Sequence, residues 1–144
     1  MNTPLIKRGL LTLLVLFSLK SFSQKNDAEV GIETKVEEKV YTIVEKMPEY
    51  PGGREAMIRY FRSNLVYPEK SKKEGIEGKV IINFSIDKKG KVINVKVKQS
   101  VAEDIDAEAI KLIKNMPIWS PGTQDGIPVV VSFNFPINFA LPKK

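Results

Sequence analysis

The stretch Lys79–Lys98, which reads KVIINFSIDKKGKVINVKVK, carries the strongest structural pattern in the chain. Apolar residues stand at every second position of its first half, which is the pattern of a β-strand with one buried face. These residues are Val80, Ile82, Phe84 and Ile86. The interleaved positions include Asn83 and Ser85, so the opposite face of this strand is expected to meet water.

The middle of the same stretch, Asp87–Gly90, predicts a tight turn, because Gly90 can take a positive φ. Apolar residues alternate again after the turn, at Ile93, Val95 and Val97. The whole stretch therefore predicts a β-hairpin with one apolar face.

Two amphipathic helices are predicted on either side of this hairpin. The first runs from about Arg54 to Asn64, with its apolar stripe at Ala56, Met57, Tyr60 and Phe61. The second starts near Asp106, a good N-cap residue. Its apolar stripe consists of Ala109, Leu112, Ile113 and Met116.

Two further strands complete the pattern. A short one is expected at Val40–Val44, and a long final strand carries Val129, Val131, Phe133, Phe135, Ile137 and Phe139 on one face. The predicted order is β-α-β-β-α-β. This is an α+β fold, with an antiparallel sheet of three to four strands and two helices on one face.

The N-terminal residues are interpreted as an export signal. Lys7 and Arg8 precede an apolar run, Gly9–Leu19, that rises only about 16 Å as a helix, against a hydrocarbon core of roughly 30 Å. Small residues before Gln24 fit a cleavage site. We therefore expect a signal peptide at 1–23, a flexible polar lead-in at 24–39 and one domain at 40–141, exported to the periplasm. Retention as an inner-membrane anchor is the less favoured alternative.

Composition excludes most enzyme chemistry. The 144 residues include no His and no Cys, so a Ser-His-Asp triad, a Cys nucleophile and a His/Cys metal site are impossible. No phosphate-binding glycine motif occurs. Removing the leader would lower the formal charge from +6 to +3. We therefore predict no cofactor, no metal, no catalysis and no nucleic-acid partner.

One acidic cluster keeps a hydrolase hypothesis open. Glu103, Asp104, Asp106 and Glu108 stand close together near the predicted start of the second helix. Capping and the helix dipole account for such acids better than catalysis does. The hydrolase alternative would use Glu103, Asp104 or Glu108.

The backbone of the final strand is a candidate for pairing with another chain. Pro128 and Pro136 lack N–H donors and favour an edge position, leaving Val129–Phe135 as the best stretch for pairing with another chain. An equally simple interpretation is that the prolines protect an edge from aggregation. The residues alone leave the two open.

A series of short motifs resembles the TonB C-terminal domain family. The motifs are Tyr67-Pro68, Gly75–Val80, Asp87-x-x-Gly90-x-Val92, Asp106 with Ala109, and Trp119-x-Pro121-Gly122 before a final strand. The segment Pro48–Gly53 and the pair Ser23-Gln24 resemble the version common in Bacteroidota. The resemblance covers about Tyr41 to Phe139.

This resemblance implies a non-catalytic module of the TonB energy-transduction system. The family captures the TonB box, an extended peptide of outer-membrane receptors, by β-augmentation along the last strand. The residues implied at the partner-binding site are Asn64, Leu65, Val66, Val129, Val130, Val131, Ser132, Phe133, Asn134 and Phe135.

The sequence also departs from a complete TonB. The apolar N-terminal run is signal-like, and no Pro lies between Pro4 and Pro48 to form a long spacer. Coupling to ExbB and ExbD is therefore not expected of this chain alone. The alternative function is a structural domain that self-associates, for example as a homodimer by strand pairing, or that binds other envelope proteins.

Overall fold

The computed structural model describes residues 37–144. The expected leader at 1–23 and the lead-in up to residue 36 lie outside the described residues. Among those described, no helix is both long enough and apolar enough to span a membrane.

Mixed α+β architecture is confirmed. Residues 37–144 contain, in chain order, the elements β1 (Val40–Tyr41), α1 (Gly53–Asn64), α2 (Glu69–Lys73), β2 (Gly78–Ile86), β3 (Val92–Gln99), α3 (Glu103–Lys114), β4 (Gly122–Gln124) and β5 (Ile127–Phe139). The sheet thus has five strands where three to four were expected, and two of its strands are only two and three residues long.

The sheet is organised around two long neighbours, β2 and β5. They pair antiparallel along the whole of β2, from Gly78 opposite Phe139 to Ile86 opposite Val131. β3 pairs antiparallel with the other side of β2. β1 lies parallel to β5, and β4 pairs antiparallel with it. The strand order is β1-β5-β2-β3, with β4 beside β5.

The core forms on the face predicted from the alternation. Val80, Ile82, Phe84 and Ile86 of β2 are all fully buried. They meet the stripe of α3, where Ile105, Ala109 and Ile113 are buried as well. Residues of α1 pack against the same cluster: Ala56, Met57, Tyr60 and Phe61. Both long helices therefore cover one face of the sheet.

A bulge in β3 alters the predicted alternation. Asn94 has φ 54°, and the pairing of β2 with β3 shifts register at this point. The extra residue turns Val92 toward the core beside Val95 and Val97, whereas Ile93 is not among the residues packed against it. The expectation that Ile93 shares a face with Val95 is wrong for this reason.

The start of α3 also differs from the prediction. The helix begins at Glu103 with Ala102 as its N-cap. Asp106 lies within the first turn, and its carboxylate reaches back to accept a hydrogen bond from the Val101 N–H at 3.0 Å. Asp106 therefore ties down the chain before the helix instead of capping it.

β4 and the end of β1 are further differences from the sequence interpretation. Asp125 and Gly126 both have positive φ, 52° and 74°, which makes a two-residue hairpin between β4 and β5. β1 ends at Tyr41 because the chain then turns to bury Val44 and to pair Lys46 with Thr123.

A buried polar contact joins the two helices α2 and α3. The Ser71 hydroxyl donates to Asp104 Oδ1 at 2.6 Å, and the Ser71 N–H donates to Oδ2 at 3.1 Å. Ser71 is only 1% exposed. Hydrogen bonds from the Ser71 hydroxyl, and then from the backbone N–H groups of Ser71 and Ile105, lower the pKa of Asp104 against the effect of its partial burial.

Gly90 generates a first prediction. A Cβ there would lie 1.8 Å from the carbonyl oxygen of Trp119, and φ is +85°. We expect Gly90→Ala to lower the free energy of unfolding by about 3 kcal/mol or more, as measured by urea denaturation. Gly75→Ala is the matched control, since Gly75 has φ +69° and open space around it. The control should cost only about 1 kcal/mol. Equal losses would contradict the role of the Trp119 contact.

Asp104 generates a second prediction, on pH. Because its folded pKa is lowered, the carboxylate stabilises the fold above its unfolded pKa, near 4, and this contribution is lost as the pH falls through the folded pKa. Asp104→Asn should be less stable than wild type at pH 7, with the difference in urea midpoint shrinking toward pH 2. Glu103→Gln, an exposed acid of the same turn, serves as the control. A difference that stays constant with pH would refute the linkage.

Candidate functional site

The outer side of β5, the side away from β2, is only partly filled. β1 pairs there with Val130 and Val131, while β2 pairs with the inner side of Val131. Beyond Val131 no strand among residues 37–144 lies on this side. The stretch Ser132–Phe139 is therefore a free sheet edge, which we call the outer edge.

This arrangement moves the available edge along the strand. The sequence pattern predicted the pairing stretch at Val129–Phe135, but its first three residues already have strand partners within the domain. Val129 faces Gly122, Val130 faces Val40 and Val131 faces Tyr41. Ser132, Phe133, Asn134 and Phe135 lie on the free part, which continues to Phe139.

β3 forms the opposite border of the sheet and is poorly suited to pairing. The bulge at Asn94 interrupts its regular backbone, and Lys96 and Lys98 are exposed on the strand. Bulges and lysines are the devices by which natural sheets blunt an edge. The outer edge of β5 is therefore the more receptive of the two.

An apolar groove runs between α1 and the outer edge. It encloses about 480 Å³. The residues lining it are Met57, Ile58, Phe61, Arg62 and Leu65 on the helix side and Phe135, Pro136, Ile137 and Asn138 on the strand side. We call this the edge groove. Its lining includes the stacked rings of Phe61 and Phe135, whose centroids lie 5.2 Å apart at an interplanar angle of 13°.

One wall of the edge groove is the end of α1 and the loop after it. The Asn64 side chain donates to the Tyr60 carbonyl at 2.7 Å, and the Leu65 N–H donates to the Phe61 carbonyl at 2.9 Å. The Val66 N–H donates to Glu108 Oε1 of α3 at 3.2 Å. These three bonds hold the loop Asn64–Val66 beside the groove.

The structure thus brings together part of the predicted site. Leu65 and Phe135 both line the edge groove, while Asn64 and Val66 are the chain neighbours of Leu65 and do not line it. Sequence reasoning did not assign the other seven lining residues to the site: Met57, Ile58, Phe61, Arg62, Pro136, Ile137 and Asn138. One signal was available, because Ile58 is an apolar residue outside the core stripe of its helix and is 36% exposed.

The other face of the sheet carries a polar trough. The Asn83 amide donates to Ser132 Oγ, to Asn134 Oδ1 and to the Phe133 carbonyl. Lys96 and Lys98 stand beside them. This agrees with the expectation of a wet face, except that Ser85 is only 4% exposed. Ser132 and Asn134 are therefore occupied in the sheet and do not face the edge groove.

The acidic cluster has structural partners. Asp104 accepts from Ser71, Asp106 accepts from Val101 and Ser100, and Glu108 accepts from Val66. Among the described residues no group of three or more acids could hold a metal ion. These carboxylates are thus engaged in holding loops and helices in place.

The known proteins similar to this chain are TonB proteins or TonB domains. The family described as "Gram-negative bacterial TonB protein C-terminal" matches residues 63–141. Protein TonB of Vibrio cholerae serotype O1 is 36% identical over 76 residues, which make up 52% of this chain and 31% of that protein. The chain thus spans about a third of the length of this curated relative.

Two solved structures are also similar. Both are NMR solution structures of the Helicobacter pylori TonB-CTD. The first is 24% identical, with a TM-score of 0.47, covering 61% of this chain and 79% of that one. The second is 23% identical, with a TM-score of 0.46, covering 62% and 95%.

Proposed function

This chain belongs to the Gram-negative bacterial TonB C-terminal family, and on that premise we propose that its domain is a non-catalytic peptide-binding module of the periplasm. It captures an extended segment of outer-membrane receptors, the TonB box, by β-augmentation. The observation that carries the proposal is the unpaired outer edge of β5 lying next to the edge groove.

Backbone chemistry supports the first half of this arrangement. Unpaired backbone groups along Ser132–Phe135 can form a ladder with an incoming strand, whereas Pro136 beyond them has no N–H to donate. The same side of β5 already takes a short parallel strand from the chain itself, at Val130 and Val131. A peptide that continues along this side would meet a strand already held rigid by its pairing with β2.

The edge groove supports the second half. In a strand, alternate side chains point to the same face, so every second residue of a docked peptide would enter the groove. Its walls are apolar, with Met57, Ile58 and Leu65 on the helix side. The backbone ladder then supplies affinity for any extended peptide, and the groove selects peptides with apolar residues at alternate positions.

A substitution in the edge groove tests the binding surface. Ile58→Glu places a charge on its wall, and we expect it to weaken binding of a synthetic TonB-box peptide by about tenfold or more. The matched control is Ile127→Glu, since Ile127 is 65% exposed and lies at the other end of β5. Isothermal titration calorimetry would measure both affinities. Equal affinities for the two variants would contradict the proposal.

Disulfide cross-linking tests the geometry. The chain has no Cys, so a single introduced cysteine is unique. We expect Asn134→Cys to cross-link to cysteines at alternate positions of a TonB-box peptide, and Lys98→Cys, on the blunted border of the sheet, not to do so. Disulfides between two copies of the domain in place of peptide adducts would favour self-association and overturn the proposal.

A further inference from the structure

α3 presents three hydrogen-bond acceptors at intervals of one helical turn. They are the Asp104 carboxylate, the Glu108 carboxylate and the Leu112 carbonyl. Residues four apart lie on the same face of a helix, so the three form one row, which we call the acceptor row.

Each acceptor holds a different part of the segment from α1 to α2. The Tyr60 hydroxyl donates to the Leu112 carbonyl at 2.7 Å. The Val66 N–H donates to Glu108, and Ser71 donates to Asp104. The donors occur in the reverse order of the acceptors, so the segment runs antiparallel to α3 and is pinned once per turn.

The middle contact falls at an exposed residue between two that pack against the core, Leu65 and Tyr67. Val66 is 60% exposed, so few apolar contacts fix its position. Its neighbour Leu65 lines the edge groove. In the loop Asn64–Val66, the hydrogen bond from the Val66 N–H to the Glu108 carboxylate connects the backbone to another element of the fold, α3.

We propose that Glu108 is a positioning residue of the edge groove: by holding the Val66 N–H it keeps Leu65 in the wall that receives the peptide. This inference rests on the proposed function for its binding consequence. Asp104 makes a similar contact in the same row, but at α2, away from the groove. The two acids therefore separate positioning of the groove from general stability.

The test compares Glu108→Ala, Glu108→Gln and Asp104→Ala. Glutamine keeps an acceptor oxygen, whereas alanine removes it. We expect Glu108→Ala to weaken TonB-box peptide binding by roughly threefold to tenfold, and Glu108→Gln to stay within about twofold of wild type. Asp104→Ala should lower the urea midpoint while leaving the peptide affinity within about twofold. A loss of affinity in Asp104→Ala equal to that in Glu108→Ala, or none in either, would overturn the proposal.

Amide hydrogen exchange separates this inference from the proposed function. Exchange at Val66 and Leu65 should be faster in Glu108→Ala than in wild type, and unchanged in Glu108→Gln and Asp104→Ala. If wild type fails to bind the peptide, the proposed function fails, and exchange alone decides the role of Glu108. Exchange at Val66 that does not respond to Glu108→Ala would overturn the positioning role.

Discussion

Because β5 is much longer than β1, its neighbour on the outer side, part of β5 is left without a strand partner, and the binding surface depends on this difference in length. β5 extends over Ile127–Phe139, and β2 satisfies its inner side as far as Phe139. On the outer side β1 is so short that pairing stops at Val131. The remaining backbone groups are held in strand geometry by β2 yet have no strand partner among the described residues. Such an edge invites pairing with another chain, so its position determines where a partner can bind.

The helices add side-chain selectivity to that edge. Their apolar stripes cover one face of β2, and the same packing brings the end of α1 alongside the last residues of β5. The stacked Phe61 and Phe135 rings lie where the helix meets the strand. A bare sheet edge would accept almost any extended peptide, whereas an edge with an apolar groove beside it favours particular side chains. The edge of the same sheet formed by β3 is instead protected from pairing by its bulge and its exposed lysines.

The acidic residues of α3 illustrate how an ambiguous sequence feature is resolved by its partners. In the sequence, Glu103, Asp104 and Glu108 were compatible with capping or with hydrolysis. In the structure, Asp104 and Glu108 accept hydrogen bonds from residues 33 and 42 positions away. They hold α2 and the loop after α1 against α3. A shared helical face, spaced by four residues, gives them this common task.

Local periodicity was enough to predict the alternation at Val80–Ile86 and the stripe of α3, because neighbouring residues alone decide which face of an element is apolar. The turn at Gly90 was predicted from the glycine itself, which can take a positive φ. Local periodicity could not predict the free part of the β5 edge, the edge groove or the contact of Glu108. Each depends on segments far apart in the chain, such as Val40 with Val130 or Val66 with Glu108. These contacts form only when the whole sheet and both long helices are in place, so the pattern of neighbouring residues does not predict them.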